Sequence, residues 1–134
     1  MSAQRVLLEE ATTRAVIKVF FDVHRALGYG HRELIYALAM ERDLRALGHE
    51  VGREVPVMVY YRGQPLARQS ADMVIDGKVI LEIKAGARLE PTASAQLLGY
   101  LSATDLEVGL ILHFGHEAKF YRMIFENRLK RRTR

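Results

Sequence analysis

Two acidic residues and a lysine, Asp72, Glu82 and Lys84, lie within the short stretch ADMVIDGKVILEIK. Neighbouring carboxylates repel each other unless a cation lies between them, and hard oxygen ligands are what Mg²⁺ or Mn²⁺ prefers. Such an ion can polarise a phosphodiester, activate a water as nucleophile and neutralise charge on the leaving oxygen. A lysine beside the second acid can stabilise the attacking water or the developing negative charge. These residue types therefore predict metal-assisted phosphodiester chemistry.

The register of a β-hairpin over residues 72–84 decides whether the three side chains share a face. A two-residue type I′ turn at Asp76 and Gly77 would point Asp72 away from Glu82 and Lys84. A three-residue connection gives the opposite parity and collects on one face only apolar side chains, those of Met73, Ile75, Val79, Leu81 and Ile83. Because strand side chains alternate with period two, a one-residue slip would mix acids into that face. The alternation favours the three-residue connection, which gathers Asp72, Glu82 and Lys84 on the other face.

An exposed, salt-bridged strand surface is the alternative explanation for the same three residues. An acid-x-lysine triplet occurs by composition alone in about one of every two chains like this one. A cross-strand ion pair on the surface contributes under about 1 kcal/mol to stability. Spacing and alternation on their own leave both explanations open.

The elements that must position these residues follow from the hydrophobic period along the chain. Apolar residues at helical spacing predict two helices before the strands, over residues 4–27 and 31–47. Alternating or continuous apolar runs predict five strands, over residues 51–61, 65–75, 79–85, 108–114 and 119–125. A third helix, over residues 91–103, is predicted to open at Pro91. The order ααβββαββ predicts an α/β fold with a mixed central β-sheet flanked by helices.

The length and charge of the chain predict one domain with a basic end. The chain has 134 residues, which fits a single domain, and we place it over residues 1–127. The net charge is +4, and much of the excess lies in residues 128–134. A basic balance favours polyanionic partners. The basic C-terminal tail has two open interpretations, a solvated end or an arm that contacts phosphates.

Several classes of protein are excluded by composition. The chain has no cysteine, which excludes disulfides and thiolate metal sites and suits a reducing compartment. The first fourteen residues carry charges where a signal peptide needs its apolar run, and no apolar stretch approaches membrane-spanning length. We therefore expect a soluble, cytoplasmic protein with no membrane partner.

Three motifs of the chain resemble those of the GxxExxY family in the PD-(D/E)XK nuclease superfamily. The naming motif is present as GHRELIY at residues 30–36, and the catalytic half-motif as Asp72 followed by Glu82-Ile83-Lys84. A later predicted helix carries QLLGY at residues 96–100. The resemblance extends from about residue 28 to residue 125. It implies a restriction-endonuclease-like αβββαβ core.

The resemblance also implies a role for each residue of a predicted site. Glu33, Asp72 and Glu82 would bind Mg²⁺ or Mn²⁺, together with the backbone carbonyl of Ile83. Lys84 would activate the attacking water or stabilise the charge of the reacting phosphate.

A second group of residues would position the first or the substrate. The resemblance implies that Gln96 and Tyr100, one helical turn apart, orient Lys84, the scissile phosphate or the substrate strand. This chain has Ser70 where the family often has a basic residue near the strand acid, so either Arg68 takes over that contact with the substrate or the contact is weaker. The alternatives are that Gln96 and Tyr100 form an ordinary helix-surface pair, and that Glu33 only caps a helix at its third position. Tyr36 is expected to pack on the sheet.

These observations together predict a Mg²⁺- or Mn²⁺-dependent nuclease that hydrolyses phosphodiester bonds in DNA by attack of a metal-bound water. A homodimer is compatible with this prediction, because small nucleases of this kind often pair to cut two strands. The alternative from another class is a catalytically silent nuclease-fold module that binds nucleic acid or a partner protein. A third candidate is hydrolysis of a different phosphate ester at the same site.

Overall fold

A five-stranded mixed sheet forms the centre of the computed structural model, which describes residues 9–131. The strand order is β1-β2-β3-β4-β5, with β3 and β4 parallel and every other neighbouring pair antiparallel. The helices are α1 (Glu10–Leu27), α2 (Glu33–Ala46) and α3 (Ala93–Ala103), and the strands are β1 (Val51–Tyr61), β2 (Gln64–Ile75), β3 (Val79–Ala85), β4 (Val108–Phe114) and β5 (Ala118–Ile124). This arrangement confirms the predicted α/β fold and the predicted order of its elements.

The helix starts differ from the prediction for local backbone reasons. Residues 4–8 of the first predicted helix lie outside the described residues. The second helix begins at Glu33 rather than at residue 31, after Gly28 and Gly30 adopt positive φ angles of 73° and 114°. The third begins at Ala93, because the backbone N–H of Ala93 closes a turn onto the carbonyl of Glu90 at 3.0 Å. No helix within residues 9–131 has the length and hydrophobicity needed to cross a membrane.

Two hydrophobic clusters cover the two faces of the sheet. Helices α1 and α2 pack against one face, with Leu81 and Ile83 of β3 in that cluster. Helix α3 packs against the other face, with Ile80 of β3 in the second cluster. Because side chains alternate along a strand, Glu82 shares the α3 face with Ile80. All five residues of the predicted apolar face lie in the first cluster: Met73, Ile75, Val79, Leu81 and Ile83.

The β2–β3 connection has the predicted three residues. Ile75 pairs with Val79, so residues 76–78 form the connection. Asp76 and Gly77 both adopt left-handed φ angles, 55° and 62°, and the backbone N–H of Lys78 donates to the carbonyl of Ile75 at 2.9 Å. A tight turn with two left-handed residues therefore coexists with the register that the alternation favours.

The β1–β2 ribbon changes face at residue 54. Val51 and Met73 belong to the cluster under α1 and α2, whereas Val57 and Ala71, which have the same parity along their strands, belong to the cluster under α3. Between them, Glu54 adopts φ 51°, a left-handed conformation that is uncommon for a residue with a side chain. The ribbon therefore turns relative to the rest of the sheet at this residue.

The chain remains packed beyond residue 127. Asn127–Leu129 forms a 3₁₀ helix, and Lys130 is only 7% exposed. Its ammonium donates to the carbonyls of Thr104 at 3.0 Å and Leu106 at 2.6 Å. Residues 132–134 lie outside the described residues, and the division of the chain at residue 127 stays a prediction.

Candidate active site

Asp72 and Glu82 meet where β2 and β3 separate. The last paired residues before the site are Met73 and Leu81. Beyond them, Asp72 Oδ2 accepts a hydrogen bond from the backbone N–H of Ile83 at 2.7 Å, and Glu82 Oε2 accepts one from the backbone N–H of Asp72 at 3.1 Å. Each carboxylate thus bonds to the backbone of the opposite strand. The two acids are brought together, as the register argument requires.

Burial makes the charges of this pair unfavourable. Glu82 is 1% exposed, and burial together with the negative charge of Asp72 raises its pKa to about 7. Burial also raises the pKa of Asp72, although the hydrogen bond from Ile83 partly offsets that effect. A buried carboxylate is disfavoured in its charged form unless a positive charge compensates it. A cation between these side chains would relieve both effects.

Lys84 is linked to α3 by a chain of hydrogen bonds. Its Nζ donates to Gln96 Oε1 at 2.8 Å, and Gln96 Nε2 donates to the hydroxyl of Tyr100 at 3.1 Å. Tyr100 is buried, and burial together with the charge of Glu82 raises the pKa of its phenol. The contacts that a positioning role would require are therefore present for Gln96 and Tyr100.

Helix α3 lies close enough to the sheet to make this chain of hydrogen bonds. It passes over β4 at Gly109, where an added Cβ would lie 2.6 Å from Leu97 Cδ1. Leu97 is fully buried in the cluster under α3. The absence of a side chain at Gly109 therefore sets the close approach that lets Gln96, one residue earlier in the helix, reach Lys84.

Glu33 lies at the edge of the site rather than between the two acids. It is the first residue of α2, and its Oε2 accepts a hydrogen bond from the backbone N–H of Ala85 at 3.3 Å. With Asp72 and Ile83 it lines a cleft of about 180 Å³, and its negative charge contributes to the raised pKa of Glu82. A capping box needs the acid at the third helical position, so Glu33 does not form one, whereas its place in the first turn of α2 is still favoured by the helix dipole.

Tyr36 holds the loop that precedes Glu33. It is fully buried, its hydroxyl donates to the carbonyl of Gly28 at 2.6 Å and accepts from the backbone N–H of His31 at 3.2 Å. Its ring stacks on Phe114 of β4 at 4.1 Å. The expectation that Tyr36 packs on the sheet is confirmed, and the contacts fix the position at which α2 begins.

Arg68 is the predicted site residue that the structure does not bring to the others. It lies in the exposed part of β2, where it pairs with Met58 of β1. Within residues 9–131, no hydrogen bond or ion pair joins it to Asp72, Glu82 or Lys84.

Glu54 is an acidic residue of the site that the sequence analysis did not identify. It lines the same cleft as Glu33 and Asp72, and its negative charge contributes to the raised pKa of Asp72. The antiparallel register of β1 and β2 places residue 54 opposite residue 72. No local sequence signal carries this information, because it depends on pairing between two strands.

The acidic side chains fit a divalent cation by donor type. Asp72 and Glu82 supply the hard oxygen ligands that Mg²⁺ and Mn²⁺ prefer, and their buried negative charge favours a cation between them. In the described part of the chain, no three His, Asp or Glu side chains are already arranged as a complete cation site. Further ligands would have to come from the Ile83 carbonyl, from Glu33 or from water.

Comparisons with known proteins identify the family. A comparison with curated proteins finds no match. The crystal structure of SSO0001 aligns with 92% of this chain at 21% sequence identity and a TM-score of 0.49, and this chain spans 62% of that protein. A family model described as the PD-(D/E)XK nuclease superfamily matches residues 10–124, from α1 to the end of β5. Nucleases of that superfamily generally depend on divalent metals. Because the match covers most of its length, the chain belongs to the PD-(D/E)XK nuclease superfamily.

Proposed function

We propose that this protein is a Mg²⁺- or Mn²⁺-dependent nuclease of the GxxExxY type that hydrolyses phosphodiester bonds in DNA. The observation that carries the proposal is the contact of half-buried Asp72 with buried Glu82 in the gap between β2 and β3, with Lys84 two residues beyond Glu82 on β3. Membership of the superfamily supports the class of reaction. The GHRELIY motif supports the subfamily, since Glu33 lines the cleft and Tyr36 fixes the loop before it.

The acids would hold the ion, and the polypeptide would fix their geometry. Asp72 and Glu82 are the proposed principal ligands, with the Ile83 carbonyl and Glu33 as further oxygen donors. When bound, a divalent ion supplies Lewis-acid polarisation of the scissile phosphate and neutralises its charge. The backbone hydrogen bonds from Ile83 and Asp72 orient both carboxylates in advance, which reduces the rearrangement that binding requires.

Lys84 would act on the reacting phosphate as a fixed positive charge. Its Nζ is held by Gln96 Oε1, and Gln96 is in turn held by Tyr100. A positioned ammonium can orient the attacking water and stabilise the charge that develops on the phosphoryl oxygens. Gln96 is exposed, so the same amide is accessible to a substrate strand that crosses the site.

A cleavage assay tests this function. The wild-type protein is incubated with DNA in Mg²⁺, in Mn²⁺ and in EDTA, alongside Glu82→Ala and Lys84→Ala. We expect metal-dependent cleavage by the wild type and its loss in both variants. Cleavage that survives both substitutions would place the chemistry elsewhere, and absence of metal-dependent cleavage on every DNA and RNA form would contradict the enzyme.

The same assay separates the enzyme from a silent module. If DNA binding persists and weakens steeply with salt while cleavage is absent, the protein is a nuclease-fold module that binds nucleic acid.

The proposal has three further parts. We propose that the protein forms a homodimer, that it is cytoplasmic, and that Arg68 contacts the substrate.

A further inference from the structure

The β1–β2 ribbon extends well past the candidate site. Strands β1 and β2 pair from Val51 and Ile75 to Tyr61 and Gln64, whereas β2 pairs with β3 only over residues 73–75. Over residues 55–71, which we call the distal ribbon, β1 and β2 therefore pair only with each other. Residues 61–70 are all exposed, including two large apolar side chains, Tyr61 at 53% and Leu66 at 65%.

The distal ribbon carries only positive charge. Its charged residues are Arg62 and Arg68, and it contains no acidic residue. The guanidinium of Arg62 lies 5.1 Å from the centre of the Tyr61 ring. In the part of the chain that the structure describes, neither arginine forms an ion pair with an acid. An exposed element with uncompensated arginines is complementary to a polyanion.

The dimensions of the distal ribbon match those of a DNA groove. Paired strands lie about 4.8 Å apart, and the major groove of B-form DNA, about 12 Å wide, admits a two-stranded ribbon. With a rise of about 3.4 Å per residue, Arg68 lies about 14 Å along the strand from Asp72, and Gln64 about 27 Å. Both distances are shorter than one turn of B-form DNA, about 34 Å.

We infer that the distal ribbon enters the major groove of duplex DNA next to the bond to be cleaved, with Arg62 and Arg68 on the backbone phosphates. This inference rests on the proposed function, because the same duplex must cross Asp72 and Glu82. B-form DNA is the occupant rather than duplex RNA, since the major groove of RNA is too narrow and deep for a ribbon. A second copy of the chain, paired along the free edge of β1, is the competing occupant.

A binding measurement in EDTA tests the inference apart from cleavage. The protein Arg62→Ala/Arg68→Ala is compared with the wild type on a labelled DNA duplex across a range of salt concentrations. The control is Lys18→Ala/Lys78→Ala, which removes the same charge from the exposed surface of α1 and from the β2–β3 turn. We expect the arginine variant to bind DNA at least roughly tenfold more weakly near physiological salt. The slope of the logarithm of the binding constant against the logarithm of salt concentration should fall in magnitude by about 1.8, because two phosphate contacts are lost. The control should change far less.

Each other outcome overturns a stated part of the inference. Wild-type affinity in the arginine variant, or no binding of duplex DNA by the wild type, would remove the role of the ribbon. Equal weakening on duplex DNA, duplex RNA and single-stranded DNA would remove its placement in a groove. If the wild type self-associates in sedimentation and the arginine variant does not, while both bind DNA equally, the ribbon pairs with a second copy of the chain instead. If binding depends on the arginines but the wild type never cleaves, the nuclease proposal fails, and with it the placement of the ribbon next to a bond to be cleaved; only binding of the ribbon to duplex DNA is then retained.

Discussion

Glu82 Oε2 accepts a hydrogen bond from the backbone N–H of Asp72 at 3.1 Å, so the two predicted metal ligands are in direct contact. The contact forms immediately beyond the last residue pair of the β2–β3 ladder, Met73 and Leu81. A short ladder followed by separation of the strands leaves backbone N–H groups that carboxylates can bind. The negative charges of the two acids are consequently held close together in a buried place.

The first prediction concerns the stability of the metal-free protein, which should fall as pH rises. The pKa of Glu82 is raised from 4.5 to about 7, so the folded state favours the protonated acid. Its stabilising contribution is complete below about pH 4.5 and is lost as pH rises through about 7. The difference in the free energy of unfolding is at most about 3 kcal/mol, and urea unfolding in EDTA between about pH 5 and pH 8 measures it. The raised pKa of Asp72 acts in the same direction.

The matched variant for that measurement is Glu82→Gln, which cannot titrate at this position. We expect its stability to vary less with pH over the same range. A wild type whose stability is constant or rises between about pH 5 and pH 8, in parallel with the variant, would be incompatible with a raised pKa at Glu82.

The second prediction concerns Gln96, which we expect to be a positioning residue. The substitution Gln96→Ala removes the acceptor that holds Lys84 Nζ at 2.8 Å. Misplacement of a charged group by about 1 Å can lower a rate by roughly 100-fold, so kcat for DNA cleavage should fall by about 10- to 100-fold. Unfolding free energy should change by less than about 0.5 kcal/mol, because Gln96 is exposed. Ser94→Ala, which changes an exposed residue of the same helix, is the control, and equal kcat values for the two variants would remove Gln96 from the site.

The third prediction concerns the hydroxyl of Tyr36. Tyr36→Phe keeps the ring stacked on Phe114 but removes the hydrogen bonds to Gly28 and His31. Buried groups that lose a partner lower the free energy of unfolding by about 1–3 kcal/mol, which urea denaturation measures. Tyr121→Phe changes the same group on an exposed side chain, 45% accessible, and should be neutral within about 0.5 kcal/mol. Equal stability of the two variants would show that the Tyr36 hydroxyl does not hold the loop.

The fourth prediction compares two glycines that lie on either side of the α3 contact. Gly109→Ala would place a Cβ 2.6 Å from Leu97 Cδ1. Because α3 must then move away from the sheet, we expect the free energy of unfolding to fall by about 1–3 kcal/mol. Gly99 lies in α3, and no atom is within 4 Å of the Cβ that Gly99→Ala would add. We expect this variant to gain up to about 1 kcal/mol in free energy of unfolding, because alanine has the higher helix propensity. Thermal unfolding of both variants checks the opposite signs. A Gly109→Ala protein as stable as the wild type would mean that α3 does not pack closely on β4.

The β2–β3 register could be predicted from the sequence because one strand pair contains its own test. A slip by one residue would bring Asp72 or Glu82 onto the face that holds Met73 and Leu81. The same alternation predicts that Asp72, Glu82 and Lys84 share the other face. Local hydrophobic patterns were sufficient there because the two paired segments are adjacent in sequence and turn only apolar side chains towards α1 and α2.

The turn of the β1–β2 ribbon could not be predicted in the same way. Strand alternation assumes an unbroken pleat, whereas the left-handed φ of Glu54 reverses which face the later residues of β1 point to. The approach of Glu54 to Asp72 depends on that ribbon, as does the distance between Arg68 and the acids. The link from Lys84 through Gln96 to Tyr100 likewise required the position of α3 over Gly109, which is a matter of tertiary packing.

Titration of the metal-free protein with Mn²⁺ in a calorimeter tests the central claim most directly, because it requires no knowledge of the substrate. At about pH 8 the solution is above the pKa of Glu82, about 7, and removal of one charged ligand weakens a hard-cation site strongly. We predict that Glu82→Gln binds Mn²⁺ at least roughly tenfold more weakly than the wild type. The control Glu117→Gln, which changes an exposed acid in the connection between β4 and β5, should bind Mn²⁺ as the wild type does. Equal Mn²⁺ affinity in Glu82→Gln and the wild type, or no binding by the wild type, would contradict a metal site at Asp72 and Glu82.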